Sequence, residues 1–96
     1  MTDPRPDPAV STAFAADPVR MRDRYAERLR GEGLEHPVVA ATIAALRGTA
    51  GETTEEFAER MGVPPAAVLA AEAGLLAVEE LPDPLRFAIR GFDHRA

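Results

Sequence analysis

Proline and glycine punctuate this chain at intervals that leave room for short helices and little else. Asp17-Pro18, His36-Pro37, Pro64-Pro65 and Asp83-Pro84 each open a segment, and Gly31, Gly48, Gly62, Gly74 and Gly91 each follow one. Proline suits the first turn of a helix, where its missing N–H has no partner to lose. Glycine readily takes the left-handed conformation that ends a helix. One more start lies at Thr53-Thr54-Glu55-Glu56. There Thr53 fits the cap, and Glu56 is placed to reach back to the Thr53 amide. The spacing predicts helices over 18–30, 37–47, 54–61, 65–73 and 84–90. No segment alternates as a half-buried strand does. The expected fold class is all-α.

The faces of these helices assign a core. Met21, Tyr25 and Leu29 recur every four residues and form one apolar stripe, while Arg20, Arg24 and Arg28 form a second, with Arg22 and Arg30 nearby. Asp23 and Glu27 follow Arg20 and Arg24 by three positions and offset their repulsion. Residues 37–47 are apolar around nearly the whole circumference, so this helix is expected at the centre of the core or in a dimer interface. Tyr25, Leu29, Val39, Ile43, Leu46, Phe57, Met61, Val68, Leu69 and Ile89 are the expected core. The chain divides into a disordered or weakly helical lead (1–16), a helical domain (17–91) and a frayed tail (92–96). Within the lead, Val10 and Phe14 share a face if residues 9–16 form an extra N-terminal helix. Residues 75–82 are an apolar connector.

Composition excludes several functions. With 96 residues the chain is one domain, and 19 of them are alanine, so the core is thin and closely packed. Cysteine is absent, which removes disulfides, thiolate chemistry and cysteine metal sites. No apolar run approaches the ~18 residues of a membrane span, and no signal-peptide core is visible, so a cytoplasmic location is expected. The net charge of −5 opposes bulk attraction to nucleic acid or anionic lipid. Glu55, Glu56 and Glu59 resemble a carboxylate cluster, but the capping box and a helix N-terminus explain them. His36 and His94 have no convergent ligands around them in the sequence. No catalytic residue, metal site, cofactor site or small-molecule substrate is expected.

Residues 44–74 carry a further pattern. Leu46-Arg47 ends one helix, Thr54–Val63 forms the next helix and its turn, and Glu72-Ala73-Gly74 closes a third. This stretch resembles the helix-turn-helix core of the lambda-repressor-like, or Xre, family. The resemblance implies a five-helix domain in which Ala58 lets two motif helices cross closely, Gly62 makes the turn, and Val63 and Val68 fill the angle between them. It also implies that the start of the second motif helix faces a partner, which is DNA in the DNA-binding members.

That helix departs from a DNA reader. Pro64, Pro65, Ala66 and Ala67, followed by Ala70 and Ala73, have no side-chain donor for a base edge. Residues 47–80 hold two arginines against seven glutamates, the wrong balance for phosphate contacts. The expected function is therefore a non-enzymatic regulatory or adaptor domain that binds a protein partner, or a second copy of itself. Pro64, Pro65, Ala66, Ala67, Ala70 and Leu76 are the candidate contact residues. The alternative is a dimeric DNA-binding transcription regulator of the Xre type, with Arg20, Arg24 and Arg28 contacting phosphate, or an acidic partner.

Overall fold

A computed structural model describes Thr12 and residues 15–94. The expectations for the lead and for the last two residues lie outside these, except that Thr12, Ala15 and Ala16 are helical. Five α-helices follow: α1 (Pro18–Gly31), α2 (Pro37–Ala50), α3 (Thr54–Met61), α4 (Pro65–Glu72) and α5 (Asp83–His94), with a 3-10 turn at Val78–Glu80 before α5. No strand occurs among the described residues.

The helix ends are built from the expected chemistry. Asp17 Oδ1 accepts the Arg20 amide at 3.3 Å and caps α1. Thr53 and Glu56 form the reciprocal capping box of α3, at 3.2 and 2.9 Å. Gly62 ends α3 at φ 72°. The stop of α2 is displaced: Gly48 lies inside the helix, and Gly51, left-handed at φ 67°, ends it. The Glu52 amide donates back to the Arg47 carbonyl at 3.1 Å.

Helix α2 is the centre of the molecule. Val39 and Ile43 join Phe57, Ala58, Val68, Ala71, Leu81, Leu85 and Ile89 in the main core, while Ala40 and Ala41 meet Ala26 and Leu29 of α1. Ala45 packs on Phe92 of α5. Three expectations are corrected here. α5 does not stop at Gly91 or fray at residue 92; it runs to His94, and Phe92 is buried. Leu69 is 52% exposed rather than core. The buried stripe of α1 is Arg22, Ala26 and Leu29, not Met21, Tyr25 and Leu29.

Arg22 explains that rotation. Its Nη1 donates to Thr42 Oγ1 at 2.9 Å, its Nε to Asp23 at 2.8 Å, and its guanidinium lies 5.0 Å from the Phe92 ring centroid. A buried guanidinium is tolerated where its donors are met and an aromatic face covers it. The small Ala26, set between, allows α1 to approach Ala40 and Ala41 closely.

Candidate interaction site

The stretch that resembles the motif folds as α3, the turn 62–64 and α4, with both helices packed on each other and α4 also packed on α2. The Val63 amide donates to the Ala58 carbonyl at 3.0 Å, which fixes the turn. Ala58 and Val68 are fully buried where the helices meet, and Val63 packs against the same core. At the far end Gly74 turns left-handed at φ 75°. Its carbonyl accepts the His36 amide at 3.1 Å, and a Cβ built on it would lie 2.9 Å from the Leu34 side chain. The connector before α2 therefore clamps the end of α4.

An ion pair joins two stretches that lie 25 residues apart in the chain. Arg47 Nη2 and Nε donate to Glu72 Oε1 and Oε2 at 3.0 and 3.1 Å, and its Nη1 donates to the Glu52 carbonyl at 3.2 Å. Both side chains are largely shielded, at 14% and 17% exposure. Arg60 grips the Glu52 carboxylate with two bonds of 2.8 Å and lies 5.3 Å from the Phe57 ring centroid. The hydrogen bond to Glu52 holds the Arg60 guanidinium above its usual pKa. Each arginine of residues 47–80 is thus committed to a carboxylate, a pairing the sequence did not signal.

The candidate contact residues divide. Pro64, Pro65 and Ala66 are exposed, whereas Ala67 and Ala70 are half-buried, and Ala67 packs on the core. Leu76 is half-buried and packs against that core. Periodicity placed Leu69 in the core, but the structure sets it outside, and Leu75 in the connector is 62% exposed. Leu69, four residues after Pro65 and three after Ala66, extends the proline–alanine face, and Leu75 is a second exposed leucine just past the end of α4. No signal in the sequence separated them from core leucines.

Of the α1 arginines, Arg20, Arg24 and Arg28 are exposed. Arg28 pairs with Glu32 at 3.2 Å, and Arg30 pairs with Glu27. α1 packs chiefly on α2. His36 is half-buried at the start of α2, without a side-chain capping bond. Among the described residues no group of three His, Asp or Glu is placed to hold a metal ion, and no helix is long and apolar enough to cross a membrane. The chain matches no protein-family model, no curated protein and no solved structure.

Proposed function

We propose that this chain is a non-enzymatic regulatory or adaptor domain, with an Xre-like helix-turn-helix put to protein binding. The observation that carries this is the surface of α4. It offers Pro64, Pro65, Ala66, Leu69 and, just beyond, Leu75, while Arg47 and Arg60 are held by Glu72 and Glu52. Apolar groups left in water favour a partner that covers them. A phosphate backbone needs uncommitted cations, and the carboxylates of Glu72 and Glu52 already engage Arg47 and Arg60. A cytoplasmic setting and a protein partner or homodimer belong to the same proposal.

Affinity capture tests it, using the full chain beside Leu69→Asp and Leu75→Asp variants. Proteins retained by the wild type, lost with either variant and indifferent to nuclease support the reading. Retention that disappears on nuclease treatment restores the DNA-binding alternative.

A further inference from the structure

The lining of an open apolar groove of about 660 Å³ includes neither of the exposed leucines, Leu69 and Leu75. The start of α1, the end of α2, the end of α3 and one side of α5 form its walls, through Val19, Leu46, Thr49, Met61, Phe87 and Ala88. Arg60 is the one charged residue among its described lining, and that guanidinium is held by Glu52. Phe87 stands at 60% exposure on α5. Such a groove calls for an uncharged apolar occupant.

We propose that the occupant is this chain's own segment Ala9–Phe14, anchored by Val10 and Phe14. Three observations converge on it. The first is reach. Pro18 and Val19 line the groove, and Phe14 is four residues before Pro18. Four residues extend at most about 14 Å, half of the molecule's 28 Å width, and span about 6 Å when helical.

The second is charge. Residues 9–16 read Ala-Val-Ser-Thr-Ala-Phe-Ala-Ala with no charged side chain, whereas Asp3, Arg5, Asp7 and Asp17 flank them. The uncharged stretch matches a groove whose one cation is neutralised.

The third is facing. Thr12, Ala15 and Ala16 are helical and exposed. At about 100° per residue these three share one face, and the sequence assigns Val10 and Phe14 to the opposite one if the helix spans 9–16. In the proposed docking this exposed face of small residues stays in water, and Val10 and Phe14 are the groups that enter the groove. Tethering supplies a millimolar effective concentration, so even a weak contact is held.

NMR on the full-length chain tests this. Nuclear Overhauser effects are expected from the Phe14 ring to the methyls of Thr49, Met61 and Ala88. A mixture of labelled and unlabelled copies should show them within one copy. Phe14→Asp should abolish them and shift amides at Thr49, Ala50, Phe87 and Ala88, with the α3–α4 turn unchanged. Contacts from Phe14 to another face, or no contacts, overturn the proposal. So do contacts found only between copies, which would make the groove's occupant a second molecule. If Phe14→Asp moves only amides of residues 10–18, the groove has no such occupant. The exposed position of Phe87 provides a second check, because Phe87→Asp should keep the fold and lose the same contacts.

Discussion

Arg47 and Arg60 make similar two-bond forks to glutamates, but under different solvation. Arg47–Glu72 is shielded on both sides, whereas the Arg60 side chain is 48% exposed. Water competes for the second pair and salt screens it, so exposed pairs contribute about 0.2–1 kcal/mol. Hydrogen bonds to a shielded charge contribute about 1.5–3 kcal/mol, and the charge left behind after truncation costs more. Double-mutant cycles in chemical denaturation should therefore give Arg47–Glu72 the larger coupling. Raising salt should diminish Arg60–Glu52 more. Equal couplings would show that the α2–α4 pair is as wet as the other. Phe57 is fully buried in the main core, so Phe57→Ala should lower stability by about 3–5 kcal/mol. An unchanged denaturation midpoint would contradict its packing.

The elements depend on glycines that look alike in sequence but differ in surroundings. Gly62 and Gly74 are both left-handed, yet a Cβ at Gly62 would meet nothing within 4 Å, while one at Gly74 would collide with Leu34 at 2.9 Å. Gly62→Ala should cost about 1–2 kcal/mol, the left-handed penalty alone, and Gly62→Asn less. Gly74→Ala should cost more, and combining it with Leu34→Ala should cost less than the two changes summed. Thermal unfolding of the four variants and the double variant decides this. The same contrast shows what the sequence could convey. Helix starts and the caps at Asp17 and Thr53 were readable because they are settled within a few residues. Gly48 and Gly51 were locally equivalent stops, and only the burial of Gly48 within the fold selects the later one. The extension of α5 past Gly91 needs Ala45 opposite Phe92. The face of α1 needs Thr42 and Phe92 to receive Arg22. The α4 surface was legible in its prolines and alanines. Its exposed Leu69 and its Arg47–Glu72 brace were not, because both depend on neighbours distant in sequence.

At the scale of the whole molecule, charge and shape make one prediction about nucleic acid. The chain carries 16 acidic side chains against 11 arginines, and the α4 side of the structure commits Arg47 and Arg60 internally. On α1, Arg28 and Arg30 are paired with Glu32 and Glu27, which leaves Arg20 and Arg24 as the exposed cations best placed for a phosphate there. Two such contacts would give shallow salt dependence, about one unit of slope per arginine. Fluorescence anisotropy with mixed-sequence duplexes at physiological salt should therefore detect nothing tighter than the non-specific range of about 10⁻⁴–10⁻⁶ M. Any residual binding should weaken for Arg20→Ala and Arg24→Ala and stay indifferent to changes at Ala66. Nanomolar, sequence-selective binding that depends on α4 would reverse the adaptor proposal.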